Sequence, residues 1–317
     1  MGILGIGSPF LDYVVQVSDL YMESVGEKGS HQKIEDLSTF KSMLRQLPEQ
    51  PIPCPGGSCA NTIKALAALG HRCKLAGTIG TDEAGGFLRG ELIKRGIEEH
   101  LQVFPGKTGQ LICYVTKDGE RTFRNFYGAS DEMVHLRVEP DLFDKVSHLH
   151  MDGYTILFEG LCERVMEIAK QKGVEVSFDL GSFSILEPRK DLVRTLLKIY
   201  VDIVFANDKE AETLTGKPPK EACEELGGLC DTAVVTLGEK GCWVARLGKV
   251  EHFPAIPTQV VDTTGAGDLF SAGFLHAHLQ GRSTKEAARE GALLASQIIQ
   301  IIGADLPAES IRKLSQK

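Results

Sequence analysis

Three short β-branched runs, at 174–179, 202–206 and 233–237, are separated by helical stretches at 192–199 and 209–214. Runs this short suit the strands of a buried sheet, and helical connections between them make neighbouring strands parallel. The same rhythm opens the chain. Residues 3–7 form a short apolar run; 58–69 read as a helix that Ser58 can cap and Gly70 stops; 74–79 are strand-like; 83–95 are helical and end at Gly96. This alternation predicts an α/β fold of three layers, a mostly parallel central sheet with helices on both faces.

One stretch breaks the rhythm. Residues 102–127 carry two hairpin signals, around Gly106 to Gly109 and at Lys117-Asp118-Gly119-Glu120, with strands predicted over 110–116 and 121–127. Asp12 to Val17 also alternates, with Tyr13, Val15 and Val17 set against Val14 and Gln16. These antiparallel pieces read either as an extension of the main sheet edge or as a small β-sheet lid over a site, built from about 12–35 and 102–127.

The 317 residues, 42% of them hydrophobic, suffice for one large core, and the chain reads as a single α/β domain over 1–317. A net charge of −8 provides no footprint for nucleic acid or an anionic membrane, so an anionic ligand would have to be held by local amides. No run approaches the roughly 18–20 apolar residues of a membrane span. The first ten residues lack a basic region and do not read as a signal peptide. Eight cysteines are scattered without a Cys-x-x-Cys pair, as expected of buried thiols in a reducing compartment, and a cytoplasmic location is expected.

The most informative segment is Val260-Val261-Asp262-Thr263-Thr264-Gly265-Ala266-Gly267-Asp268-Leu269-Phe270. It reads as the end of an apolar strand, a Gly-x-Gly turn, and a helix with Phe270, Phe274 and Leu275 inward. Glycines let successive amides converge, and a helix N-terminus adds positive partial charge, which together make an anion hole. Asp268 in the first helical turn could simply complement the helix dipole. Beside a phosphate cradle, however, a carboxylate repels the ligand unless it serves to accept a proton from an attacking hydroxyl.

This chain resembles the ribokinase-like (PfkB) family of sugar and nucleoside kinases. The run Asp262 to Asp268 is similar to the family's C-terminal signature, and Gly56-Gly57-Ser58-Cys59-Ala60-Asn61-Thr62 to its N-terminal one. Asn207-Asp208-Lys209-Glu210 resembles the Asn-x-x-Glu motif, and Val235-Thr236-Leu237-Gly238 with Gly241 the nucleotide-binding loop. The resemblance implies an ATP-dependent kinase with Asp268 as general base and the amides at Gly265, Ala266 and Gly267 as anion hole. By the same resemblance, Asn207 and Glu210 arrange phosphates and the water shell of Mg²⁺, and Thr236, Gly238 and Gly241 line ATP. Asp262, Thr264 and Gly303 match positions that hold a monovalent cation, K⁺, in several members. From residue types alone, Asn207 is a helix N-cap with Glu210 in the first turn, and residues 236–241 are a strand-to-turn connection.

At the acceptor end, Gly56 and Gly57 read as a turn before a helix; the resemblance implies that they approach the acceptor, with Asn61 and Asp12 on its hydroxyls. A buried carboxylate at position 12 needs a polyol partner or a local N–H. The start Gly5-Ile6-Gly7-Ser8-Pro9-Phe10-Leu11-Asp12 resembles adenosine-kinase-like members, which usually carry Asn in place of Ser8. Gly119-Glu120-Arg121-Thr122 resembles their lid, implying Arg121 as a clamp on the transferred phosphate, though it also reads as an exposed arginine after a hairpin turn. A nucleoside is slightly favoured over a sugar as the small-molecule partner, with a ribokinase- or fructokinase-type sugar kinase, or an inactive ligand-binding relative, as alternatives. A homodimer through the lid is also implied. Gly5-x-Gly7 lacks the third glycine of a dinucleotide fingerprint, since Phe10 stands there, and no P-loop is present. His148 and His150 share one face of a strand and read as core or surface histidines rather than metal ligands.

Overall fold

The computed structural model describes residues 2–315. Fourteen strands form among them. In chain order they are β1 (Gly2–Ile6), β2 (Phe10–Gln16), β3 (His31–Lys33), β4 (Ile52–Gly56), β5 (Arg72–Ile79), β6 (Glu98–Val103) and β7 (Gln110–Val115). The remainder are β8 (Arg121–Phe126), β9 (Val146–Asp152), β10 (Glu175–Asp179), β11 (Ile203–Asn207), β12 (Thr232–Thr236), β13 (Cys242–Arg246) and β14 (Lys249–Phe253).

Nine strands build the central sheet, in the order β14-β13-β12-β11-β10-β9-β1-β5-β6. From β12 to β6 every pairing is parallel, and the two edge strands β13 and β14 run antiparallel. The predicted β-branched runs are β10, β11 and β12, each within a residue or so of its expected bounds. Two buried clusters cover the two faces. One gathers Leu149, Val176, Val204 and Val235 with Val165, Leu196 and Leu226; the other gathers Ile3, Leu75, Phe205 and Val234 with Ile63, Leu66, Phe274 and Leu294. The three-layer α/β/α reading therefore holds, because side chains alternating along each strand feed a helical layer on either side.

A second, five-stranded sheet stands apart, in the order β3-β8-β7-β2-β4. It is a separate sheet rather than an extension of the main one. Its composition differs from the expected segments in two respects. The turn around Gly106 to Gly109 is not a hairpin: β6 before it lies in the central sheet and β7 after it in the small one. Residues 52–56 supply an unforeseen edge strand; Pro53 and Pro55 obscured it, and proline is tolerated there because an edge strand leaves half its amides unpaired. A short helix, Asp19–Val25, separates β2 from β3.

Two local expectations fail for identifiable reasons. Residues 254–262 form no strand; the amides of Val261 and Asp262 instead donate to the carbonyl of Ile299, the C-cap of the helix Thr284–Ile298. The helix Ser58–Ala68 is not capped by Ser58. Gly57, at φ 98°, takes the N-cap position without a side-chain hydrogen bond, and the Ser58 hydroxyl turns elsewhere.

His148 and His150 lie in the core, fully buried on β9. The Ser177 hydroxyl joins them, 2.7 Å from Nε2 of His148 and 2.9 Å from Nδ1 of His150, and Glu175 holds both His148 and His278. Six of the eight cysteines are buried, Cys54 and Cys230 half so. No helix of the described residues is long and apolar enough to cross a membrane.

Candidate active site

The helix Ala266–Leu279 begins at Gly265, which sits in the left-handed region at φ 75° and provides no side-chain cap. A side chain at Gly265 would also run into Ala304, so glycine is required there twice over. The first-turn amides lack intrahelical acceptors and end on Gly267, around which a Cβ would meet only open space. The sequence-predicted anion hole is thus an uncovered helix N-terminus with room beside it.

Asp268 lies in that first turn, partly buried. Ser58 Oγ donates to its Oδ1 at 2.8 Å and Asn61 Nδ2 to its Oδ2 at 2.8 Å, while Thr62 Oγ1 bonds its backbone carbonyl at 3.1 Å. The N-terminal turns of two helices therefore face each other across the carboxylate. Burial raises its proton affinity, opposed by the hydrogen bonds from Asn61 and Ser58 and by the charges of Lys64 and Arg121. A carboxylate held at both oxygens, yet less acidic than usual, suits a base that must both wait ionised and take a proton.

Asp12, on β2, is buried, and its Oδ1 has no hydrogen-bond partner. Burial pushes its carboxyl up to about 7; Lys64 pulls it down and Asp268 pushes it further up. Gly56, which pairs with Phe10 across β2–β4 while Asp12 pairs with Cys54, packs directly against that carboxylate, and a Cβ there would overlap it. Asn61 Oδ1 is likewise buried and unpartnered. Two orphaned acceptors beside the Asp268 carboxylate form a pocket that lacks donors, which is what a polyol provides.

Two carboxylates missing from the sequence reading complete the site. Asp152 ends β9 and Asp179 ends β10, both at the C-terminal edge of the central sheet. Asp152 accepts from the amides of Cys59 and Tyr154, and burial raises it to about 6. Asp179 is raised well above the ordinary range by burial and by the charges of Glu210 and Asp268. Their position was the available signal, since ligands of open α/β sheets bind beyond the carboxyl ends of strands.

Asn207 and Glu210 form a capping box, as residue types alone suggested. Asn207 accepts from the Glu210 amide, while Glu210 accepts from the Asn207 amide at 2.8 Å and from Nδ2 at 2.7 Å. Burial nonetheless lifts the Glu210 carboxyl to about 7. Both its oxygens are engaged, so a metal would meet it through water. Buried oxygen donors of raised proton affinity, at Asp179 and Glu210, fit a hard divalent cation. Thr236 closes β12, Gly238 (φ 58°) opens the next turn, and Gly241 (φ 92°) packs on the backbone of residues 253–255.

Asp262, Thr264 and Gly303 do come together. Oδ1 of Asp262 accepts from the amide and hydroxyl of Thr264, and Oδ2 from the Gly303 amide at 2.8 Å. Arg121 sits at the tip of the small sheet, its guanidinium over Phe123 and close enough to the pocket mouth at Thr263 to act on Asp268. All the predicted residues are thus accounted for: Asp268, Asn61, Asp12 and Gly56 converge, and Asn207 and Glu210 lie across the sheet edge from them beside Asp179.

Fructokinase-1 of Oryza sativa subsp. japonica is 31% identical over 246 residues, covering 74% of this chain and 76% of its own. The cytidine kinase of Thermococcus kodakarensis is 31% identical over 257 residues, covering 78% and 89%. The crystal structure of adenosine kinase from Sinorhizobium meliloti superposes with a TM-score of 0.92 at 29% identity, covering 99% of this chain and 98% of that one. The pattern of the pfkB family carbohydrate kinases matches residues 46–311. With this match and these relatives, the chain belongs to the pfkB family, whose members transfer phosphoryl from ATP to an alcohol group of a sugar or nucleoside.

Proposed function

We propose that this kinase phosphorylates a hydroxyl of a nucleoside resembling adenosine, with Asp268 as general base. One observation carries the base assignment: a carboxylate held by Ser58 and Asn61 at the mouth of an uncapped helix N-terminus. The acceptor hydroxyl lies between Asp268 and the γ-phosphate of ATP. As its oxygen bonds to phosphorus, its proton passes to Asp268 and the bond to the ADP oxygen breaks. The amides at Gly265, Ala266 and Gly267 hold the developing negative charge, and Arg121 adds to that field from the small sheet, which closes over the site as a lid and excludes water. Asp12 and Asn61 orient the acceptor through their free oxygens.

Glu210 and Asn207, with Asp179, would hold the water shell of Mg²⁺, which when bound neutralises phosphate charge. Thr236, Gly238 and Gly241 line the nucleotide. Asp262, Thr264 and the Gly303 loop would hold K⁺ and, through it, the shape of the anion hole.

The nucleoside is favoured by the resemblance of residues 5–12 and 119–129 to adenosine-kinase-like members. A sugar reading is favoured by the 31% identity to a fructokinase. ATP consumption with adenosine, cytidine, ribose and fructose decides between them: turnover of fructose or ribose but neither nucleoside refutes the first reading. Replacing Asp268 by Asn is expected to lower turnover by roughly 10²–10⁴ with little change in KM for ATP. Equal turnover by both proteins would refute the base.

A further inference from the structure

Lys64 is the charged residue of the helix Ser58–Ala68, and its side chain is only 4% exposed. Burying an ammonium costs several kcal/mol unless partners compensate, and an apolar residue of the same length would fill the space without that cost. Its Nζ donates to the carbonyl of Pro55, just before Gly56, and lies 3.2 Å from Oδ1 of Asp305. The other oxygen of Asp305 is held by Arg95 at 2.7 Å. Two residues before Asp305, the Gly303 amide closes on Asp262. Lys64 therefore joins β4 and the 303–305 loop to its own helix, whose Ser58 and Asn61 hydrogen-bond Asp268.

Its charge also acts on the chemistry. Asp268 feels the cations Lys64 and Arg121, and the carboxylates Asp12 from β2, Asp152 from β9 and Asp179 from β10. Arg121 is half-exposed on a hairpin; Lys64 is fixed in the interior. It lowers the proton affinity of Asp12 as well as of Asp268.

We propose that Lys64 is a positioning residue, whose buried ammonium ties β4 to the 303–305 loop and sets a fixed positive charge in the field of Asp12 and Asp268, which bind and deprotonate the acceptor. The consequence for turnover rests on Asp268 being the base; the electrostatic role does not. The test is a ¹³C NMR titration of the two carboxyls, assigned with Asp12→Asn and Asp268→Asn, in wild type, Lys64→Met, Lys64→Arg and Asp305→Asn. Lys64→Met is expected to move both titrations upward by about one pH unit or more, and Lys64→Arg to leave them nearly in place. Asp305→Asn, which leaves Lys64 uncompensated, is expected to move them downward. Opposite shifts are the discriminating result, since a merely structural lysine would give none or shifts of one sign, and either outcome overturns the proposal. If Lys64→Met does not fold, the downward shift in Asp305→Asn decides alone. The acidic limb of kcat/KM should follow the Asp268 titration; a moved titration with an unmoved limb refutes the base reading and leaves the role of Lys64 standing.

Discussion

Ser58 and Asp268 stand 210 residues apart in sequence, and the hydroxyl of one donates to the carboxylate of the other at 2.8 Å. That bond is where the Ser58 hydroxyl goes in place of the helix cap expected of it. Gly57 holds the N-cap position and Ser58 is the first helical residue, so its hydroxyl is free to give its one proton to an anionic acceptor, a stronger bond than one to a neutral group.

Ser58→Ala removes this donor. Because the hydrogen bond favours the ionised form of Asp268, its loss raises the proton affinity of the base. The acidic limb of kcat/KM is expected to move to higher pH, with about a tenfold loss of activity near neutrality. Asn61→Asp would replace a donor by a second charge and should move the limb further.

Asp12→Asn should stabilise the unliganded protein while abolishing acceptor binding. The folded carboxyl titrates near 7 against 3.8 ordinarily, so its contribution is fully present below about 4 and is lost as pH rises through 7. The variant is therefore expected to melt several degrees above wild type at pH 8, on the order of 2 kcal/mol, with the gap closing as pH falls toward 4. Thermal melts across that range check the sign.

Gly56→Ala places a methyl group on the Asp12 carboxylate. Overpacking of this kind costs about 1–3 kcal/mol, and the displaced carboxylate should weaken acceptor binding. The expected kinetic mark is a raised KM for the acceptor with KM for ATP unchanged. Steady-state kinetics in both substrates separate the two.

Asn207→Ala breaks the capping box: the Nδ2 bond to the Glu210 carboxylate and the Oδ1 acceptor of the Glu210 amide are lost, while the backbone amide of residue 207 still donates to Glu210. A loss of about 1–2 kcal/mol in stability is expected from the cap. If Glu210 also orders metal-bound water, the Mg²⁺ concentration for half-maximal activity should rise about tenfold, measured with ATP held constant.

The acceptor pocket was legible only in part. Gly56, Gly57, Asn61 and Asp12 could be found because each belongs to a local motif. Asp152 and Asp179 could not, because a strand ending in aspartate is common and only the sheet order places β9 and β10 next to each other. Lys64 was hidden by its own residue type. A lysine in an alanine-rich helix reads as surface, and its burial follows from Pro55 on the preceding strand and from Asp305, 241 residues away.

Local chemistry decided the elements themselves: β-branched runs, glycine stops and the Gly265–Asp268 turn act within a few residues, where chain connectivity keeps partners close. Ser58 and Asn61 on Asp268, Gly303 on Asp262 and Lys64 on Asp305 were decided by packing alone. These pairs join segments 41 to 241 residues apart in sequence, and no local spacing records which carboxylate a buried donor will meet once water is gone.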